Sequence, residues 1–555
     1  MSNRSETLHP SAYPPGELFD LIQFFQGRQG ENVAVVFFQI LFERSGDIEK
    51  FLRVLNVLFV VRFEDLVLLF LAVGQAYVFG VAGRRQGLLS HQHSGQQQKQ
   101  RAPDSGMVLQ FPLFGIIPNR RMNDVNIGVI GLGNVGSGAL SILAANADQI
   151  ALKLGFRLRV TAVCSRSVAA RELPAGLGEI MRTPDWREVV TNSNVDIVAE
   201  LIGGTTVARE IIDGAIANGK SIVTANKELM ALCGAEIWDR AIKSNINLAM
   251  EASVAGGIPI HAVLREGISG DRIVAIAGIL NGTSNYILTE MERRGESFDS
   301  ILAEAQALGY AEADPSADVD GYDARSKLAI LAALAFGERI TPSDIYVEGI
   351  RRITAQDFDY AHQLRHTIRL VCGATQTERG LILSVRPALI RQSTILASVQ
   401  GAYNAVWVKG HFGGDTFYYG RGAGASPTGV AVVSDLMRVA REIRCGSPER
   451  VSPFAHERLG EYEPVSITLQ HRPYYLRFRV EDGPGIIAEL ARILAAKHIS
   501  LEAVLQLPSD TKHNLPFVIT VEPSSEQAIR EAVEQMSRLS FLREPPLALP
   551  MEPPL

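Results

Sequence analysis

The chain has 555 residues, enough for about three or four domains at roughly 150 residues each. Its 54 Lys and Arg against 60 Asp and Glu leave a net charge of -6, which excludes the strongly basic footprint of a nucleic-acid binder. Cys164, Cys233, Cys372 and Cys445 are widely spaced and form no C-x-x-C pair, so neither a disulfide framework nor a zinc site is indicated and a reducing cytoplasm fits best.

Residues 1–121 do not resemble the remainder. Phe-rich apolar runs such as Val33 to Phe42 are followed by a glutamine tract around Gln96, with little amphipathic period, and no function is assigned to them. Leu66 to Gly83 is uncharged and just reaches the length of a membrane span. Gln75 and glycines interrupt it and no cleavable signal pattern precedes it, so a membrane anchor is not expected. Met122 stands just before a strand, and the leading segment is read as an extension or a mis-called start.

From there the pattern is strand, glycine loop, helix. Val125 to Ile130 is apolar, Gly131-Leu132-Gly133-Asn134-Val135-Gly136 comes next, and a helix runs from Ser137 to about Ala145. In this motif Gly131 makes the tight turn, Gly133 lets the backbone approach a pyrophosphate, and Gly136 lets helix and strand pack closely. The free N–H groups of the helix N-terminus then receive the phosphate. A second strand, Leu158 to Cys164, ends in Ser165-Arg166-Ser167, where a site specific for NAD places a carboxylate. A hydroxyl and a guanidinium there suit the 2'-phosphate of NADP, the alternative being an exposed loop arginine. Strands at Val195 to Leu201 and Ser221 to Thr224 flank a helix from about Val207 to Asn218, and their ends aim Thr205 and Lys227 at the cofactor crevice.

Gly309 to Lys327 reads G-Y-A-E-A-D-P-S-A-D-V-D-G-Y-D-A-R-S-K. Glu312, Asp314, Asp318, Asp320 and Asp323 are too dense for a core, and Gly309, Pro315 and Gly321 break any continuous helix, so an ordered acidic loop is expected. After it comes a helix in which Asp323 and Lys327 stand four apart and share a face. Two readings are open: a surface salt bridge, or a pocket for a small zwitterion with carboxylates for its ammonium group and a lysine as acid or base. Ile273 to Leu280 reads as a strand, and Asn281 to Asn285, N-G-T-S-N, either lines a pocket or caps the next helix with Thr283 or Ser284. Tyr419 to Asp435 sets Gly420, Gly422 and Gly424 before Pro427 and a helix from Thr428.

Beyond a polar connector, Tyr474 to Val480, Ile486 to Lys497, Ile499 to Gln506, Leu515 to Val521, Ser524 to Leu539 and Phe541 to Leu547 alternate as βαββαβ, the split ferredoxin-like order. This module resembles an ACT domain. The expected architecture is α/β: a Rossmann-type nucleotide-binding domain opening at 122, an α+β region after it, and the ferredoxin-like module over 472–550.

T-A-N-K-E-L at 224–229, E-A-S-V-A-G-G-I-P-I at 251–260, G-I-L-N-G-T-S-N-Y-I-L at 278–288 and the acidic stretch occur in an order that resembles homoserine dehydrogenase. The resemblance runs from Met122 to the C-terminus and implies a Rossmann-type domain over 122–255 completed by 420–440, with an α+β catalytic and dimerisation domain over 256–419 inserted between its parts. It implies reversible oxidation of L-homoserine to L-aspartate 4-semialdehyde with NADP, or with NAD. It implies Lys327 as the proton-transfer residue, Lys227 between cofactor and substrate, and Glu312, Asp318 and Asp323 as substrate ligands. It places Gly131, Gly133, Asn134, Val135, Gly136, Arg166, Thr205, Lys227, Gly309 and Gly422 at the cofactor. It also implies a monovalent cation, sodium, on the Glu251 carboxylate and the carbonyls of Val254, Gly256 and Ile258, although a plain strand-to-helix turn fits those residues equally well. It further implies a homodimer or homotetramer, with threonine as candidate effector of the ACT module. A non-catalytic amino-acid sensor and a dehydrogenase of another amino-acid-like substrate are the alternatives, and the intact Lys227, Glu312, Asp323 and Lys327 set argues against the first.

Overall fold

The computed structural model describes residues 124–446, 454, 456–462, 464–507 and 512–552; the expectations for residues 1–121 lie outside them. Among the described residues no helix is long and apolar enough to cross a membrane.

Three sheets organise the described residues. The first has strand order β3-β2-β1-β4-β5-β6, all parallel, built from Met181–Thr183 (β3), Leu158–Cys164 (β2), Val125–Ile130 (β1), Ile197–Glu200 (β4), Ser221–Thr224 (β5) and Leu248–Ala249 (β6). Its strands are buried on both faces, as a parallel sheet requires, with helices Asn134–Ala145 (α1), Thr206–Ala217 (α4) and Lys227–Lys243 (α5) among those covering it. Ala147–Leu154 (α2) and Trp186–Val190 (α3) complete the crossovers. The short strands β3 and β6 add to the expected set, and the others agree to within a few residues.

The second sheet is mixed, in the order β12-β11-β7-β9-β10-β8. Ile273–Ile279 (β7), His366–Thr377 (β9), Gly380–Arg391 (β10), Tyr403–Gly410 (β11) and Gly414–Arg421 (β12) pair antiparallel, and Tyr346–Val347 (β8) adds a parallel edge. Between this sheet and α5 runs the helix Tyr322–Phe336 (α10), with Gly321 and Gly337 in the left-handed region at its two ends. Every residue from Lys327 to Leu334 is buried, more than two full turns, so the second half of α10 is a core helix enclosed on every side. Each buried Leu or Ile side chain there contributes roughly 1.5–3 kcal/mol. Helices Ile260–Ala262 (α6), Gly282–Arg294 (α7), Phe298–Ala307 (α8), Ser316–Val319 (α9) and Ala355–Gln363 (α11) complete this layer.

The chain then returns to the first sheet. Ala425–Cys445 (α12) lies against α1 so closely that a methyl group at Gly138 would come within 2.2 Å of the Ala425 carbonyl, and one at Gly429 within 2.9 Å of the Ala139 nitrogen. The helix starts at Ala425 rather than Thr428, with Pro427 inside its first turn where no N–H is needed.

The third sheet is antiparallel, in the order β14-β15-β13-β16, from Leu501–Leu505, Leu515–Ser525, His471–Val480 and Leu547–Pro550, with Ile486–Ala496 (α13) and Glu526–Met536 (α14) on one face. The last strand falls later than Phe541 to Leu547 because its place is set by pairing, Tyr474 opposite Pro550, and not by a local pattern. This module is joined to the second sheet. Met551 bridges to Leu389 at the edge of β10, and buried ion pairs Arg386–Glu526 and Arg477–Asp357 cross the junction.

Candidate active site

The glycine turn has the geometry its spacing predicts. Gly131 has φ +107, and a methyl group there would lie 2.6 Å from the Leu201 backbone. At Gly136 it would lie 1.9 Å from the Gly131 carbonyl, so only hydrogen fits where the turn folds onto the helix. Nothing lies within 4 Å of such a group at Gly133, which leaves room for a ligand against the backbone. Asn134 and Val135 open α1, so their N–H groups face the same space. Arg166 is exposed at the end of β2 between Ser165 and Ser167, whose hydroxyls lie 3.4 Å apart.

Two neighbouring strand ends are laced together by a buried carboxylate. Glu200 accepts the Ile202 N–H at 2.9 Å and the Thr224 hydroxyl at 2.7 Å; burial pushes its pKa up, against those hydrogen bonds. Asn226 donates to the Gly204 carbonyl at 2.6 Å and caps α5 by accepting the Leu229 N–H at 3.1 Å. Lys227 is therefore fixed as the first residue of α5, while Thr205 leads into α4 beside it.

Opposite this edge stands Asp323. Its carboxylate forms an ion pair with Lys227, accepts from Lys327 Nζ at 2.7 Å and accepts from Asn281 Nδ2 at 2.8 Å. Lys327 also donates to the Leu280 carbonyl at 2.8 Å, which receives Asn404 Nδ2 at 2.9 Å as well. The second amide hydrogen of Asn281 reaches Asp318 at 2.6 Å. Burial alone would raise the pKa of Asp323, but the two ammonium groups outweigh it and hold the carboxyl well below its usual range. For Lys227 the order reverses: burial works against its charge, the Asp323 carboxylate wins, and the net shift is upward. Asp318 is pushed up, by burial first, with the Asn281 hydrogen bond opposing. The side chains of Asp323 and Lys327 are 5% and 11% exposed and that of Lys227 is 38% exposed, so the cluster opens on the Lys227 side, toward the parallel sheet.

The salt bridge is thus present but buried, not a surface pair. The acidic stretch is not wholly a loop either, because Ser316–Val319 forms one helical turn carrying Asp318. Glu312 is exposed, and among the described residues only its backbone carbonyl is engaged, by Gln306 Nε2 at 3.0 Å. Gly309 ends α8 with φ +76, and Thr283 ties the adjoining Tyr310 carbonyl to α7 at 2.7 Å. The cap of α7 is Asn281, accepting the Ser284 N–H at 2.7 Å, and not Thr283 or Ser284. Asn outranks Thr at this position.

Glu251 is buried at the end of the first sheet, where its oxygens accept the N–H groups of His261 and Ala262, each at 2.9 Å. Burial and then the nearby Asp435 carboxylate push it up to about 7. The carbonyls of Val254 and Gly256 accept no hydrogen bond among the described residues, and that of Ile258 accepts the Ile260 N–H at 2.8 Å. A buried carboxylate and two carbonyl oxygens left without a donor among the described residues are the oxygen ligands that a hard cation takes. Gly256 abuts Gly422, the residue expected at the nicotinamide end, with 3.0 Å between the Gly422 carbonyl and a methyl group placed at Gly256.

Sequence reasoning assigned no role to Asn226, Glu200 or Asn404. Asn226 carried a signal, an Asn directly before a helix, whereas Asn404 is one polar residue near the start of a mostly apolar strand and carried none.

A parallel sheet with a glycine turn before its first helix, facing a buried carboxylate gripped by two lysines, defines an NAD(P)-linked dehydrogenase of a small polar substrate. The homoserine dehydrogenase family model matches residues 259–437, its NAD-binding domain matches 131–251, and the ACT domain matches 474–540. The homoserine dehydrogenase of Neisseria gonorrhoeae is 41% identical, over 78% of this chain and 99% of its own length. A crystal structure of a homoserine dehydrogenase from Thiobacillus denitrificans superposes with TM-score 0.72 at 40% identity, covering 78% of this chain and 99% of that one. A hyperthermophilic archaeal homoserine dehydrogenase in complex with NADPH matches at TM-score 0.50 and 27% identity, over 59% of this chain and 99% of its own. The chain belongs to the homoserine dehydrogenase family and is an oxidoreductase.

Proposed function

We propose that the protein oxidises L-homoserine reversibly to L-aspartate 4-semialdehyde with NADP, NAD serving less well. The observation that carries this reading is the Lys227–Asp323–Lys327 cluster, aimed at the nucleotide sheet and adjoined by Asp318. NADP, when bound, supplies the hydride acceptor. Gly131, Gly133 and the first N–H groups of α1 hold its pyrophosphate, Arg166 its 2'-phosphate, and Thr205, Lys227, Gly309 and Gly422 its nicotinamide end. Asp318 and Asp323, with the exposed Glu312, receive the substrate ammonium; Lys227 faces its polar groups, and Lys327, in its neutral amine form, takes the hydroxyl proton. The test is homoserine-dependent formation of NADPH, and a protein without it would refute the assignment. Arg166→Ala should cut the preference for NADP over NAD at least tenfold in kcat/KM, and an unchanged ratio removes Arg166 from the site.

Sodium on Glu251, Val254, Gly256 and Ile258 would brace the strand end beside Gly422, with no part in proton transfer. Accordingly, Glu251→Gln should raise the sodium concentration for half-maximal activity more than tenfold, measured against tetramethylammonium chloride at equal ionic strength; an unchanged value leaves the loop a plain turn. The homoserine dehydrogenase reaction serves synthesis of threonine, methionine and isoleucine, and the ACT module supports feedback by threonine in a homodimer or homotetramer. Calorimetric titration with threonine tests that part.

A further inference from the structure

Asp318 sits on α9, a helix of one turn. A single turn does not hold itself, because nucleation fixes several residues for one hydrogen bond. Inside the site it is held by Asn281 and by Ser284, whose hydroxyl donates to the Asp318 carbonyl at 2.9 Å. On the outside it is held by residues 349–351. The Ile350 N–H donates to the Val319 carbonyl at 2.8 Å, and Gly349 lies so close that a methyl group there would be 2.6 Å from that oxygen. Arg351 grips Asp320 with both arms, Nε to Oδ1 at 2.6 Å and Nη2 to Oδ2 at 3.1 Å, and Nη2 reaches the Ser316 hydroxyl at 3.4 Å. It thereby spans α9 from its first residue to the residue just past its end.

The next residue faces the other way. Arg352 Nη2 donates to the carbonyls of Pro545 and Pro546, at 2.8 and 3.0 Å, just before β16. Its own carbonyl accepts Arg477 Nη2 of β13 at 3.3 Å, and Arg477 also pairs with Asp357 and, at 3.1 Å, with Glu544. Adjacent arginines thus join the substrate helix to the ACT module.

We propose that Arg351 is a positioning residue for Asp318, and that Arg352 ties the segment Arg351 holds to the C-terminal module. The proposal rests on the reading that Asp318 receives the substrate ammonium. Arg351 touches neither substrate nor cofactor. It acts by fixing α9, which alters binding equally in ground and transition states and so moves KM and not kcat.

Steady-state kinetics of the full chain test it. Asp318→Asn should raise the homoserine KM more than tenfold, and no change there refutes the reading beneath the proposal. Given that rise, Arg351→Ala and Asp320→Asn should each raise homoserine KM about fivefold, with kcat and the NADP KM within twofold, and Arg351→Lys should restore part of the loss. The double variant should be no worse than either single one, since both remove the same clamp. A purely electrostatic effect gives opposite signs instead, because one variant leaves an extra negative charge near the ammonium and the other an extra positive charge. Opposite signs, additive effects or unchanged KM would each overturn the positioning role. Arg352→Ala should quicken amide exchange at least threefold in the peptide spanning 310–321, and unchanged exchange would sever the link to the ACT module.

Discussion

Lys327→Ala should lower kcat for homoserine oxidation about 10³-fold while leaving NADPH binding intact. A positioned proton acceptor contributes roughly 10²–10⁴ in rate, and each tenfold step is about 1.36 kcal/mol of barrier. Lys327 is the better-buried of the two lysines, and the Asp323 carboxylate and the Leu280 carbonyl fix its ammonium group from two sides. Its truncation does not strip Asp323 of all support, because Lys227 and Asn281 remain. The variant should therefore fold, and nucleotide fluorescence titration should give a dissociation constant within about twofold of the parent. Oxidation requires the proton acceptor in its neutral form, so residual turnover in the variant should rise with added small primary amines. Full activity in Lys327→Ala would remove this lysine from proton transfer and move the role to Lys227. Loss of NADPH binding together with turnover would instead assign Lys327 to the architecture of the crevice.

The glycine turn was legible because its spacing states a steric requirement, and Gly131 and Gly136 meet it with backbone approaches that no side chain survives. The burial of the Asp323–Lys327 pair was not stated by its spacing, which is the same on a surface helix as in a core. The signal lay in the eight residues after Lys327, L-A-I-L-A-A-L-A, a run with no polar face, which marks a helix enclosed on every side. Tertiary pairing accounts for most of the misplaced boundaries. β3 and β6 have three and two residues and exist only through their neighbours, and β16 is placed by β13 across the sheet. The N-terminus of α7 lies at Asn281 because cap propensity alone does not separate Asn from Ser, and Asn281 is the one of the three that also binds two carboxylates. Arg351 and Arg352 had no local signature at all: exposed arginines in a loop look alike until their partners, far apart in the chain, are brought to them.

Asp323→Asn should cost about as much in stability as in catalysis. The substitution keeps the shape and removes the charge that two ammonium groups share. Breaking a buried pair by deleting one partner costs about 3–5 kcal/mol. The lower end applies, because Lys227 is more than a third exposed and solvent screens its share. The shifts also set the sign with pH. Asp323 has a depressed pKa, so its contribution is in place above the unfolded value of about 3.9 and is lost only as pH falls through the lower folded value. Lys227 is shifted upward, so its contribution is complete below its unfolded value of about 10.4 and fades as pH rises through the folded one. The gap in thermal midpoint between parent and variant should thus stay level from about pH 5 to 9 and narrow on either side. Turnover should fall at least 10²-fold across the same range, since the substrate ammonium then meets two uncompensated lysines where the parent offers a carboxylate. Equal midpoints at neutral pH would mean that the two lysines do not depend on Asp323 for their counter-charge, and the substrate ammonium would then fall to Asp318 and Glu312.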